Sequence, residues 1–204
     1  MNKKILFFDT ETTGFPNSGP LQWQPYIVQI AWMVWEYSDD FTMISKEETF
    51  DLLFRPDGNI SPEVSKIHWI TDEMVKDRPM MHQDKFIIEF IKMMDLADII
   101  CCHNTDFDFN LICIQIDRLM ERFPEKKSGD FKKRCIDKLF CTMKSSTTYC
   151  KLPWRMGDYK WPKLMELHTK LFWVGFDSAH NAINDIMATK ACFFELIKLK
   201  IISL

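Results

Sequence analysis

The sequence has no apolar run approaching the ~18 residues of a membrane-spanning helix, and no C-x-x-C pair. The first absence leaves no candidate span. The apolar stretch near the N-terminus is too short for a secretory signal peptide and runs straight into Asp9, so the cytoplasm is the expected location. The second absence argues against a disulfide framework: the seven cysteines are odd in number and mostly set in apolar stretches, as reduced structural thiols are. Cys135, Cys141 and Cys150 are spaced wrongly for a zinc finger or ribbon. Internal repeats and low-complexity tracts are missing too. So is a strong net charge, which is only -3. The charge is unevenly placed, however. Residues 1–117 hold 9 Lys/Arg against 20 Asp/Glu, whereas residues 118–204 hold 17 against 9. An acidic half facing a basic one suits an anionic metal site beside a phosphate-binding rim, and equally a solvated basic loop at Lys126–Arg134.

What is present is a chain of 204 residues, 47% of them hydrophobic, enough for one domain (residues 1–204) with a sizeable core. Ile5 to Phe8 reads as a buried strand, and Asp9 and Glu11, two residues apart, project from one face at its carboxyl end. Two like charges so placed repel unless a cation sits between them, and hard divalent cations take oxygen ligands. Ile27–Glu36 and Glu48–Phe54 are further β-prone segments, predicted to form an antiparallel meander with the first. Ser61-Pro62-Glu63 opens a short helix ending near Ile67, and Thr71-Asp72-Glu73 opens another. Apolar spacing predicts a helix over Gln83–Met94, a buried strand over Asp98–Cys102, and a long helix to about Phe123. A basic loop, a strand over Ile136–Cys141 and helices at roughly 143–149, 161–172 and 181–199 complete the pattern. Strands first, then strands alternating with helices, predict an α/β fold around a central five-stranded mixed sheet flanked by helices on both faces.

Two more motifs fall at element junctions. His103-Asn104-Thr105-Asp106-Phe107-Asp108 leads from a buried strand into a helix, where ligand sites of open α/β sheets lie. Asp106 and Asp108 cannot both face one site, because residues two apart on a helix diverge. His180-Asn181-Ala182-Ile183-Asn184-Asp185 begins the last helix, with Asp177 or Ser178 as the expected N-cap.

Together FDTETTG, HNTDFD and HNAIND resemble the three motifs of the DnaQ-like (DEDDh) 3′–5′ exonucleases, the family of the proofreading epsilon subunit of bacterial DNA polymerase III. The resemblance runs from Phe7 to about Leu196. It implies a ribonuclease H-like fold and selects Asp108 over Asp106. It also implies that Asp9, Glu11, Asp108 and Asp185 are metal ligands, with His180 as general base in a two-metal-ion mechanism. The expected cofactor is Mg²⁺, two ions, for which Mn²⁺ can substitute. The expected reaction releases nucleoside 5′-monophosphates from DNA 3′ ends, single-stranded or frayed. Trimming of RNA, as by oligoribonucleases, is the alternative within the superfamily. A non-catalytic nucleic-acid-binding or polymerase accessory module is the alternative outside it.

Substrate contacts implied by the resemblance are Thr12, Thr13, Gly14, Phe15 as a wedge, His68, Trp69, Asn104 and Phe107. Trp69 stands where the family's I-H-G-I-T loop has glycine. The segment from Pro153-Trp154-Arg155 to Lys160-Trp161-Pro162 interleaves basic and aromatic residues, as single-strand channels do, although aromatics are also common core anchors. A polymerase or replication partner is in view. The chain ends soon after its last predicted helix, which makes a stand-alone repair, turnover or phage-type nuclease an equal expectation.

Overall fold

Strand β1 (Lys3–Thr12) is the spine of the sheet. Its even-numbered side chains Leu6 and Phe8 enter one core cluster and its odd-numbered Ile5 and Phe7 another, so the strand is covered on both faces. The computed structural model describes residues 3–38, 43–46, 49–121, 128–177 and 179–203. Strand β2 (Ile27–Tyr37) pairs antiparallel along the whole of β1, with a register shift between Glu11 and Thr12. Two short strands, β3 (Met43–Lys46) and β4 (Phe50–Leu53), pair one after the other with the two ends of β2. They therefore occupy a single position at the sheet edge. On the other side β5 (Ile99–Cys102) and β6 (Leu139–Cys141) run parallel to β1. Counted by position the sheet is five strands wide and mixed, as the sequence pattern predicts.

Helices cover both faces. Against Leu6, Phe8 and Ile100 pack α3 (Phe86–Leu96) and α4 (Thr105–Met120), preceded in the chain by the short α1 (Pro62–His68) and α2 (Asp72–Val75). The Ser61 hydroxyl caps α1 by accepting from the Val64 N–H at 3.3 Å, as its Ser-Pro-Glu start predicts. The basic stretch differs from expectation. Residues 122–127 lie outside the described residues, but Ser128–Cys135 form a helix, α5, rather than loop. Phe131 and Cys135, four residues apart, are both buried against the α4 side. Their spacing gives the segment one apolar face, with lysines and Arg134 in between. On the opposite face α8 (Ala182–Lys198) covers Ile5, Phe7, Ala31 and Met33, backed by α6 (Thr142–Cys150) and α7 (Leu164–Phe172). Helix α7 starts three residues later than the sequence suggests: Lys163 is its extended N-cap, and its N–H donates to the Glu166 carboxylate at 2.8 Å. The cap of α8 is Asn181 rather than Asp177; Ser178 lies outside the described residues. All seven cysteines are free, and six of them are buried. Among the described residues no helix is long and apolar enough to cross a membrane.

Candidate active site

Strand β1 outruns its neighbour. Its pairing with β5 ends at Phe7↔Cys101, while β1 itself continues to Thr12. Beyond that point the chain leaves β5 and turns through Asn104, in the left-handed region at φ 75°, into α4. On the side that β5 has left, the Thr10 N–H donates to Asp108 Oδ1 at 3.0 Å, and the Thr10 hydroxyl donates to the same oxygen at 2.7 Å. Asp108 is thereby held at the sheet end from the α4 face, with 2% of its surface exposed. Asp106 faces outward and pairs with Lys144. From the other face comes α8. His180, on its entering loop at φ 67°, donates its backbone N–H to Asp185 Oδ2 at 3.1 Å. This bond fixes the carboxylate of the first turn. Asp9 and Glu11 project from β1 toward the α8 side, sharing the parity of Ile5 and Phe7. The sheet end is thus approached from both faces at once.

Asp9, Glu11, Asp108, His180 and Asp185 line one cavity of about 620 Å³. That size is ordinary for a small-ligand or nucleotide site. Burial and mutual repulsion disfavour the ionised form of these carboxyls. Burial, followed by the neighbouring Asp108, Asp185 and Glu11 charges, pushes the Asp9 carboxyl far above its ordinary value. Burial first, then Asp185 and Asp108, raises Glu11 to about 8. Burial also raises Asp108 to about 7, against the Thr10 hydrogen bonds that lower it, and Asp185 to about 6. Asp185 Oδ1 is buried with no hydrogen-bond partner. One ligand atom each from Glu11, His180 and Asp185 lies within 4.8 Å of the others. Carboxyls that resist ionisation, an orphaned carboxylate oxygen and an oxygen-rich donor set together fit hard divalent cations.

The other sequence-derived residues divide. Thr12, Gly14, Phe15, His68, Asn104 and Phe107 line the cavity. The Thr12 hydroxyl closes a tight turn on Gly14 by donating to its carbonyl at 2.7 Å. Phe15, 81% exposed, meets Phe107 edge to face with ring centroids 5.6 Å apart. His68 is buried; its Nδ1 accepts from the Ile70 N–H at 3.0 Å, which places the proton on Nε2, on the side of the Thr12 backbone. Thr13 and Trp69 are not among the lining residues. Thr13 instead exchanges hydrogen bonds with Tyr26.

Trp69 ends α1 in the left-handed conformation, φ 63°, where glycine carries no Cβ penalty. Its indole is 74% exposed. Trp69→Gly is therefore expected to stabilise the fold by about 1 kcal/mol, read as a higher midpoint in chemical denaturation. An unchanged or lower midpoint would show that the indole makes compensating contacts.

Three contributions were not read from the sequence. Thr10, between the two acids, orients Asp108. His103 accepts at Nδ1 from the Thr142 hydroxyl (2.9 Å) and donates from Nε2 to the Pro162 carbonyl (3.0 Å); a carbonyl can only accept, which fixes the tautomer. Burial holds its pKa down to about 4, so it stays neutral. Arg118, only 4% exposed, donates to the carbonyls of Pro25 at 2.9 Å, Gln24 at 2.6 Å and Leu21 at 3.3 Å, and lies 3.5 Å from the Tyr26 ring centroid. It ties the loop after Phe15 to α4. Asp108, Leu111, Gln115 and Arg118 recur at helical spacing on one buried face, and the polar members of that stripe were the available signal. Arg118→Met is expected to cost about 2–4 kcal/mol, because three carbonyls lose a charged donor. Urea titration measures this, and a loss under ~0.5 kcal/mol would sink the clamp.

Comparison with known proteins finds polymerase subunits and exonucleases. At 28% identity over 127 residues, the chain is similar to DNA polymerase III subunit epsilon of Buchnera aphidicola subsp. Schizaphis graminum (strain Sg), matching 60% of this chain and 49% of that one. A second epsilon subunit, from Pasteurella multocida (strain Pm70), is 28% identical over 117 residues, 56% of this chain and 42% of its own. The chain thus spans about half the length, or less, of these relatives. Among solved structures, E. coli exonuclease I in complex with a dT13 oligonucleotide superposes with a TM-score of 0.69 at 19% identity, covering 96% of this chain and 41% of that one. Exonuclease X in complex with 5′-overhanging duplex DNA gives 0.59 at 22% identity, covering 98% and 94%. These likenesses establish the ribonuclease H-like fold. The exonuclease family RNase_T matches residues 6–193, nearly the whole chain, and to that family this protein belongs.

Proposed function

We propose that residues 1–204 form one exonuclease domain that removes nucleoside 5′-monophosphates from the 3′ end of DNA, with single-stranded or frayed ends as substrate. The observation that carries this reading is the meeting of four carboxyls and one histidine in a single cavity at the end of β1. Asp9, Glu11, Asp108 and Asp185 are the residues that would hold two Mg²⁺ ions, whose positive charges they balance. When bound, such a pair supplies a nucleophile near neutral pH and stabilises the leaving 3′ oxygen. His180, exposed on its loop, takes the proton from the attacking water. Thr10 keeps the Asp108 carboxylate aimed while its surroundings change charge. The aromatic wall of Phe15 and Phe107 receives the terminal base, and His68 lines the cavity beside the same nucleotide.

DNA is favoured because the similar proteins are a DNA polymerase subunit and exonucleases solved with DNA. A polymerase partner is proposed on the same ground. Matched 3′-ended single-stranded DNA, duplex DNA and short RNA, incubated with Mg²⁺ and with a chelator control, test the reading. Mononucleotide release from DNA, stopped by the chelator, is the expected result. Release from RNA alone would move the assignment to an RNA-trimming enzyme, and no release from any strand would refute it.

A further inference from the structure

The cavity has a second aromatic wall, contributed by the segment between α6 and α7. Trp161, Pro162 and Lys163 line it together with the acids. This segment is tied down at several points. His103 Nε2 donates to the Pro162 carbonyl at 3.0 Å. Glu166 accepts from the Lys163 N–H at 2.8 Å with one oxygen and from the Lys160 ammonium at 2.5 Å with the other. Lys160 N–H donates to the Leu152 carbonyl at 3.0 Å, and Pro153 bridges to Tyr159 in antiparallel fashion. Yet the aromatics so firmly positioned are not core anchors. Trp161 is 60% exposed and Trp154 61%, with exposed Arg155 beside the latter. An exposed indole on a backbone tied down in this way is available to stack, and the segment carrying it need not be ordered on binding.

Charge points the same way. The floor of the cavity is acidic and repels phosphate. Lys163 is the one lysine or arginine among the described residues that line it. A planar apolar surface beside a lone cation matches a base and its phosphate. The Phe15–Phe107 wall already serves one nucleotide, and Trp161 stands on a separate segment.

We propose that Trp161 and Lys163 form a stacking platform for the unpaired nucleotide preceding the one removed, Trp161 taking the base and Lys163 the phosphate. The inference rests on the nuclease reading for the direction of the strand, and it adds a preference for unpaired ends, since a base stacked on Trp161 cannot stay in a duplex stack.

The test is binding without cleavage. Dye-labelled dT and rU oligonucleotides about twelve nucleotides long are titrated with protein in chelator and followed by anisotropy at several salt concentrations. For whichever strand the wild type binds, Trp161→Ala is expected to weaken affinity about tenfold, and Trp161→Phe by no more than about threefold, because a smaller ring still stacks. Lys163→Gln is expected to lower the slope of log affinity against log salt by about 0.7, one phosphate contact on a single strand. Matching circular dichroism and melting curves establish that the variants are folded. Wild-type affinity in both Trp161→Ala and Lys163→Gln overturns the platform, as does a wild type that binds neither strand. Parallel digestion with Mg²⁺ separates the two readings. Cleavage by a wild type whose binding ignores Trp161 sinks the platform alone, whereas binding that depends on Trp161 without cleavage of any strand sinks the nuclease assignment alone.

Discussion

Asp9→Asn is expected to abolish hydrolysis while making the metal-free protein more stable. Asparagine keeps the shape of the side chain but removes a carboxyl that burial and three neighbouring acids force to hold its proton. The loss in rate should be about a thousandfold or more, the scale of several kcal/mol of transition-state stabilisation lost with a metal ligand. The gain in stability should appear near pH 8, where the other acids of the site are ionising, as a rise of a few degrees in the melting midpoint; about 1 kcal/mol moves a chain of this size by roughly 2–4 °C. A variant as active as the wild type would remove Asp9 from the site. A variant both inactive and less stable would mean that the acid supports the fold instead of straining it.

Metal removal should make stability fall as pH rises, the reverse of ordinary acid denaturation. Glu11, Asp108 and Asp185 hold protons in the folded chain up to about 8, 7 and 6 respectively, while the unfolded chain releases them near 4. Between pH 4 and 8 the folded state therefore binds more protons. Stability contributed by these groups is complete below the unfolded values and is lost as pH climbs through the folded ones. Divalent cations bound by these carboxylates would reverse the trend by taking the place of the protons. The expected result is a melting midpoint that drops from about pH 5 to about pH 8 in chelator, and a stabilisation by Mg²⁺ that is larger at the higher pH. A chelated protein that grows more stable over that interval would contradict the crowding of buried carboxyls on which the metal site is argued.

Both results depend on features that were legible to different degrees. Alternation along β1 put Asp9 and Glu11 on one face without any tertiary information, because side-chain direction in a strand has a period of two. Helical divergence left Asp106 and Asp108 as alternatives. The fold separates them by pairing Asp106 with Lys144 at the surface and burying Asp108 against Thr10. The basic stretch misled as a loop because charge dominates its composition; two buried positions, Phe131 and Cys135, were enough to fold it into α5. Trp161 could be read either as a core anchor or as a binding surface, and its exposure removes the first reading.

The sequence by itself determined the α/β pattern, the mixed sheet and the placing of Asp9 and Glu11 on one face, since these follow from periodicity; Asp108, Asp185 and His180 were singled out by the resemblance of the motifs at strand and helix ends. Only the tertiary structure decided how the acids meet. That outcome depends on β1 outrunning β5 by enough residues for a helix on each face to bring a carboxylate around the strand end. Strand-length mismatch is a relation between two segments far apart in the chain, and no local pattern encodes it. The same holds for the His103–Pro162 bond, which joins residues 59 positions apart and sets Trp161 at the mouth of the cavity.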